Sequence, residues 1–176
     1  MSTEKSIGVF DSGLGGLTVL AALRKKFPYE SIIYLGDTAR LPYGTKSPET
    51  VIKYALNCAK ALMQKADLKL LVIACNTATA HALKTLQECL PIPVIGVIEP
   101  GVLEVLAHPE IKSVAVLATP GTISVGAYEK ALRKHGFLGE INSLACPLFV
   151  PLVEEGLVSG PIAENIARDS LDHLPK

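Results

Sequence analysis

The 176-residue sequence carries no excess charge of either sign and no long apolar run. Lys plus Arg and Asp plus Glu number 17 each, so the formal net charge is zero. Because phosphate binding needs clustered positive charge, and no basic cluster is present, nucleic acid is disfavoured as a partner. No stretch approaches the roughly 18 apolar residues that span a bilayer. We therefore expect neither a nucleic-acid-binding nor a membrane protein.

Cysteine is also scarce, and its spacing argues against a metal centre. The four cysteines form no C-x-x-C pair and the four histidines form no cluster, so no metal site is expected. The first residues lack the long apolar core of a signal peptide. We therefore expect a cytoplasmic protein, in which four free thiols are found: Cys58, Cys75, Cys89 and Cys146.

What the sequence does contain is a steady alternation of short apolar runs and longer helical patterns. Runs rich in Ile, Val and Leu predict six strands, at 7–10, 32–35, 70–74, 93–97, 114–118 and 141–144. Apolar residues three or four apart predict six helices, at 17–27, 48–65, 78–90, 101–107, 124–135 and 161–174. Such alternation is typical of a parallel sheet with helices on both faces. We predict an open, doubly wound α/β fold.

Prolines and glycines punctuate the middle of the sequence, at 91–93 and 99–101. Clusters of these residues mark loops between elements, so we predict a domain boundary near Pro100. The prediction is a first α/β domain at residues 1–98 and a second α/β domain at residues 99–176.

Three of the predicted strands end in the same way, in segments 7–16, 71–79 and 114–122. Each segment places small polar residues after the strand and then opens a helix. Ligands of open α/β sheets bind at this carboxyl edge, where helix N-termini offer N–H groups and a favourable dipole to anions. The repetition predicts a small anionic ligand held by several such turns.

Cys75 is the candidate with the sharpest chemistry. A cysteine in an apolar stretch is usually an inert core residue, but this one stands between a strand and the first turn of a helix. That position lowers the pKa of a thiol and favours the thiolate. We interpret Cys75 as a reactive thiol, with Asn76 and Thr77 as donors to a bound carboxylate. Cys58 and Cys89 are predicted to be packing residues.

The other turns leave two interpretations open. Asp11 either caps a helix or holds an ammonium group, and Tyr43 either belongs to an ordinary turn or closes over a ligand. Thr119 and Thr122 form either a capped turn or a pair of hydroxyls for a carboxylate. Of the acidic pair 154–155, one member is expected to be solvated.

Taken together, five segments resemble the glutamate racemases of the aspartate/glutamate racemase superfamily. They are D-S-G-L-G-G (11–16), P-Y-G (42–44), A-C-N-T-A-T (74–79), A-T-P-G-T (118–122) and A-C-P-L-F-V-P-L-V-E-E-G (145–156). The resemblance implies two similar α/β domains with D- or L-glutamate in the cleft between them. It also implies an isomerase that works without a cofactor and supplies D-glutamate for peptidoglycan in a bacterial cytoplasm.

The resemblance also implies residue roles. Cys75 matches one of two cysteines that flank the substrate's α-carbon, on the side of the D-glutamate α-hydrogen. Asp11 matches the carboxylate near that thiol, and Glu154 matches the acidic residue near the second thiol. The positions that match substrate-binding residues are Asp11, Ser12, Pro42, Tyr43, Gly44, Cys75, Asn76, Thr77, Thr119 and Thr122.

One departure from the family is the second cysteine, which belongs to a G-C-T-H-Y-P segment that this sequence does not contain. The sequence resembles roughly the first two thirds of a racemase, so both domains are expected to be incomplete and the chain alone to be inactive. Two alternatives stay open: a related aspartate racemase, and a non-catalytic amino-acid-binding or regulatory module. A homodimer also stays open.

Overall fold

The computed structural model describes residues 5–174, and the contacts within the chain divide it into two units. The first unit is Met1–Val97 and the second is Ile98–Lys176, so the division falls one residue before the predicted boundary. Within residues 5–174, no helix is both long enough and apolar enough to cross a membrane.

The first unit is built on a four-stranded parallel sheet in which β1 is an inner strand. The strand order is β2-β1-β3-β4, and Val9 of β1 lies opposite both Tyr34 of β2 and Val72 of β3. The chain therefore leaves β1 toward one edge of the sheet and β3 toward the other, which makes the carboxyl ends of β1 and β3 the topological switch point. The strands are β1 Ser6–Asp11, β2 Ile32–Gly36, β3 Leu68–Ile73 and β4 Val94–Gly96.

Helices cover both faces of this sheet, which confirms the predicted doubly wound fold. They are α1 Leu17–Lys26, α2 Pro48–Lys65 and α3 Asn76–Cys89, with a 3₁₀ turn at Tyr43–Thr45. The packing of apolar side chains places α1 on one face and both α2 and α3 on the other. Side chains of β3 alternate accordingly, since Leu71 and Ile73 pack with α2 and α3 while Val72 packs on the side of α1. Burial on both faces explains why the strands are continuously apolar.

Local sequence explains where α2 and α3 begin. Ser47 caps α2 by accepting the Thr50 N–H at 3.3 Å, and Pro48 fills the first helical position, where no N–H partner is needed. Helix α3 begins at Asn76, two residues before its predicted start, with Cys75 as its capping residue.

The second unit contains two parallel strands, β5 Ser113–Ala118 and β6 Glu140–Ala145, paired in register so that Val116 lies opposite Ser143. Both strands confirm the sequence-based prediction. The helices of this unit are α4 Ile98–Leu106, α5 Pro120–Ser124, α6 Ala127–Lys134, α7 Phe149–Glu154 and α8 Pro161–Leu171.

In this unit two predicted helices have different bounds in the structure, and one helix was missed. The predicted helix 124–135 is interrupted, because Gly126 adopts a left-handed φ of 59° between α5 and α6. Helix α4 begins before position 101, since Pro100 falls in the first turn, where a proline is tolerated. Helix α7 was not predicted, because it has only six residues and contains Pro151.

Candidate active site

The polar turns after β1 and β3 lie side by side at the switch point. Phe10 pairs with Ile73, and the Ala74 N–H donates to the Phe10 carbonyl at 2.8 Å. This pairing carries the two turns into contact: the Cys75 thiol donates a hydrogen bond to Ser12 Oγ at 3.3 Å, across 63 residues of sequence. The sheet therefore joins two of the predicted site segments.

The pKa of the Cys75 thiol is raised in the structure, which is opposite to the predicted direction. The side chain is only 6% exposed, and burial raises the pKa of the thiol, with the charge of Asp11 adding to the effect. The hydrogen bonds that Cys75 makes with Ser12 and with the Ala78 N–H, 3.4 Å from Sγ, lower the pKa. The helix N-terminus is present as expected, but loss of hydration outweighs it.

Asp11 braces the loop before α1 but does not cap that helix, since the capping position is Gly16 and no side chain caps it. The buried carboxylate accepts the Gly13 N–H at 3.1 Å and the Gly16 N–H at 2.9 Å, both on Oδ2. A Cβ at position 16 would lie 2.4 Å from the Asp11 Cβ, so only glycine lets the loop close over the carboxylate. These bonds fix a negative charge beside Cys75.

The P-Y-G segment turns its tyrosine inward. Tyr43 is 1% exposed, and its hydroxyl donates to Asp37 Oδ2 at 2.6 Å. Because the tyrosine ring packs in the core, a ligand at this turn would contact the backbone of Pro42, Tyr43 and Gly44 and not the ring.

The first turn of α3 carries two further predicted residues. Asn76 is exposed, and Thr77 is buried at 3% exposure. Both follow Cys75 directly, so their backbone N–H groups lie in the helix turn that opens at the switch point.

Two residues of this region were missed by the sequence reasoning. Asp37 lies directly after β2 and Thr79 lies in α3, where its hydroxyl donates to the Ile73 carbonyl at 3.2 Å and accepts the Val97 N–H at 3.4 Å. Asp37 could have been recognised from its position, because polar residues also follow β1 and β3 at their carboxyl ends. Nothing local marked Thr79.

In the second unit, Thr119 and Thr122 form a capped turn at the start of α5. Thr119 Oγ1 accepts the Thr122 N–H at 3.4 Å and lies 3.1 Å from Thr122 Oγ1. Glu154 is half-buried at the end of α7. Cys146 is 2% exposed after β6, and burial raises the pKa of its thiol.

Metal-ligating side chains are dispersed. Among residues 5–174, no group of three or more His, Cys, Asp or Glu is placed to hold a metal ion.

Residues 17–160 match the Asp/Glu/hydantoin racemase family, and the chain belongs to that family. Among its relatives are glutamate racemases. It is 51% identical over 165 residues to the enzyme of Aquifex aeolicus, covering 94% of this chain and 64% of that protein. It is 53% identical over 170 residues to the glutamate racemase of Geobacter metallireducens, covering 97% of this chain and 63% of that protein. The chain thus spans less than two thirds of the length of these relatives.

Solved structures agree in fold. A glutamate racemase isoform from Bacillus anthracis superposes with a TM-score of 0.91 at 40% identity, over 97% of this chain and 64% of that one. The Francisella tularensis glutamate racemase was solved in complex with D-glutamate. It gives a TM-score of 0.88 at 46% identity, over 96% of this chain and 63% of that one. An aspartate racemase from Picrophilus torridus, at 16% identity and a TM-score of 0.67, shares the fold alone.

Proposed function

We propose that this chain carries one half of a cofactor-independent glutamate racemase, with Cys75 as the base that serves one enantiomer. The observation that carries the proposal is the contact between Cys75 and Ser12 at the switch point, where ligands of open α/β sheets bind. Relatives named glutamate racemase at 51% and 53% identity support glutamate as the substrate. Because the chain spans about two thirds of their length, the complete reaction is part of the proposal.

The chemical step is proton transfer at the α-carbon. The C–H bond breaks, an S–H bond forms on Cys75, and the electron pair stays on the α-carbon. Cys75 must first give its own proton to solvent water to become the thiolate, and the charge of Asp11 opposes that loss. A substrate ammonium group beside Asp11 would offset this charge and favour the thiolate. Binding and activation of the base are therefore coupled.

The carboxylate of the substrate is assigned to the helix turn that follows Cys75. N–H groups at the start of a helix are suited to an anion, and the side chains of Asn76 and Thr77 stand in the same turn. Ser12 and the backbone of Pro42–Gly44 complete the proposed binding residues of this unit.

Inversion needs a second group that delivers a proton to the opposite face. The resemblance assigns this role to a cysteine outside the 176 residues, with Glu154 near it and with Thr119 and Thr122 as further substrate contacts. We therefore propose that the 176 residues alone bind glutamate and exchange its α-proton without inverting it.

Two wider roles belong to the same proposal. Supply of D-glutamate for peptidoglycan in a bacterial cytoplasm is supported by the bacterial sources of the relatives. Glutamate is favoured over aspartate because the relatives at 51% and 53% identity are named glutamate racemases. Homodimer formation stays a prediction.

A binding titration tests this function. D-glutamate, L-glutamate and D-aspartate are added to the ¹⁵N-labelled chain, and the amide signals of Ser12 and Asn76 are followed. We expect glutamate to shift these signals at lower concentrations than aspartate does. Cys75→Ser should retain binding, as should the matched control Cys89→Ser at the exposed far end of α3. If glutamate shifts neither the Ser12 nor the Asn76 amide signal, the proposal is contradicted.

A further inference from the structure

Asp37 is bonded to two of the loops at the proposed site. Its backbone N–H donates to the Asp11 carbonyl at 2.9 Å, which ties it to the loop after β1. Its carboxylate Oδ2 accepts the Tyr43 hydroxyl at 2.6 Å, which ties it to the P-Y-G turn. One residue at the end of β2 therefore connects two segments that the proposed function assigns to glutamate.

The carboxylate of Asp37 is buried and has a second donor. Asp37 is 5% exposed, and its Oδ1 accepts a hydrogen bond from Arg40 Nε at 3.0 Å. The Arg40 guanidinium in turn lies 4.8 Å from the centre of the Tyr54 ring. Charge-assisted bonds of this kind are stronger and more directional than neutral ones.

Stability alone is a weak explanation for this arrangement. Replacing a buried charged pair by apolar residues of similar volume is often neutral or stabilising, so such a group is better explained by the geometry that it fixes. The geometry fixed here is that of Tyr43, whose hydroxyl has Asp37 on one side and Cys58 Sγ at 3.7 Å on another.

The turn that Tyr43 opens lies against the helix that Cys75 caps. The 3₁₀ turn Tyr43–Thr45 contacts α3, and Tyr43 and Cys75 belong to the same apolar cluster. A displacement of the tyrosine hydroxyl would therefore move the backbone of Tyr43 and Gly44 relative to the thiol.

We propose that Asp37 is a positioning residue, whose carboxylate holds the Tyr43 hydroxyl and thereby fixes the Pro42–Gly44 backbone against the first turn of α3. The proposal rests on the function proposed above, because it takes glutamate as the ligand of that turn. Asp37 itself does not touch the substrate.

The test compares Asp37→Ala, Tyr43→Phe and the double variant in the 176-residue chain, because alanine leaves the Tyr43 hydroxyl without its acceptor. Each single variant should weaken D-glutamate binding about tenfold, the equivalent of one hydrogen bond of about 1.4 kcal/mol. The double variant should bind no more weakly than either single one, because both remove the same link. Tyr54→Phe is the matched control, since its ring lies 5.6 Å from that of Tyr43, and its binding should stay within about twofold of the unsubstituted chain.

Amide hydrogen exchange supplies a readout that general destabilisation would not reproduce. The Lys46 N–H closes the turn by donating to the Tyr43 carbonyl at 3.0 Å. We expect its exchange to accelerate in both single variants while the amides of Val9 and Val72 in the central strands keep their rates.

The possible outcomes separate the two proposals. If the unsubstituted chain binds D-glutamate and Tyr43→Phe and Asp37→Ala bind it equally well, the positioning role is overturned and the proposed function stands. Equal acceleration of exchange at Lys46, Val9 and Val72 also overturns it, because the link would then serve stability alone. Absence of binding by the unsubstituted chain contradicts the function, and the positioning role falls with it.

Discussion

At Cys75, opposing influences decide whether the residue can act as a base. Burial and the charge of Asp11 raise the pKa of the thiol, while its hydrogen bonds with Ser12 and with the Ala78 N–H lower it. The net effect on the pKa is upward, and the thiol donates a hydrogen bond to Ser12 Oγ. The location at a helix N-terminus does not by itself produce a thiolate. The charge on Asp11 is the influence that a substitution can remove most cleanly.

Asp11→Asn should lower the pKa of Cys75. Removing the negative charge makes the thiolate less unfavourable, so the thiolate forms at lower pH. The measurement is the rate of alkylation at Cys75 against pH, resolved by peptide mass spectrometry. The midpoint should move to lower pH, and the rate at a fixed pH below that midpoint should rise several-fold.

Two features make this comparison interpretable. An asparagine oxygen can still accept the Gly13 and Gly16 N–H groups, so the loop keeps its bonds. The exposed thiol of Cys89 reports in the same sample and should keep its profile. An unmoved midpoint at Cys75 would show that the charge of Asp11 does not act on the thiol.

At the scale of elements, the contact between β4 and α3 is unusually close. A Cβ at Gly96 would lie 2.3 Å from Thr79 Cγ2 and 2.8 Å from Thr79 Oγ1. Thr79 cannot easily yield, because its hydroxyl is bonded to the Ile73 carbonyl and the Val97 N–H. The absence of a side chain at Gly96 therefore sets the distance between β4 and the helix that Cys75 caps.

Gly96→Ala should destabilise the first unit by about 1–3 kcal/mol, the usual cost of forcing extra volume into a packed site. The measurement is the free energy of unfolding from urea denaturation followed by circular dichroism. Gly101→Ala is the control, because its Cβ would make only an ordinary 3.6 Å contact with Tyr128 and alanine is the better helix former. Equal free energies for Gly96→Ala and the unsubstituted chain would contradict the packing argument.

The elements differ in how far the sequence could predict them. Strands β1 and β3 were predictable because burial makes each contain a short apolar run, bounded by polar or turn residues. Strands β2, β4, β5 and β6 are less buried and were predicted from their content of Ile, Val and Leu. The break between α5 and α6 was not predictable, since apolar spacing continues across Gly126 and only its backbone conformation separates the helices. Helix α7 was too short for its periodicity to be recognised.

At the scale of the whole molecule, topology decides which parts of the candidate site were predictable. The carboxyl ends of parallel strands meet at one edge, so Asp11 and Cys75 could be assigned to the same region from sequence. The 3.3 Å contact of Ser12 with Cys75 depends on β1 and β3 being neighbours. The pKa of Cys75 was predicted in the wrong direction because burial is a property of the packed unit and not of the local segment.

The central claim is that Cys75 acts as a base toward one face of glutamate. Its direct test is hydrogen exchange at the α-carbon, measured by incubating the 176-residue chain in deuterium oxide with D- or L-glutamate. Loss of the α-proton signal is followed by NMR, and inversion by chiral chromatography. A single base can remove a proton and return a deuteron on the same face without inverting the centre.

We predict that D-glutamate loses its α-proton signal faster than L-glutamate, without inversion. The exchange should disappear in Cys75→Ser and persist in Cys89→Ser. The account would be contradicted if α-proton exchange survived in Cys75→Ser, or if both enantiomers exchanged at the same rate. Binding of glutamate without any exchange would instead identify a non-catalytic glutamate-binding module.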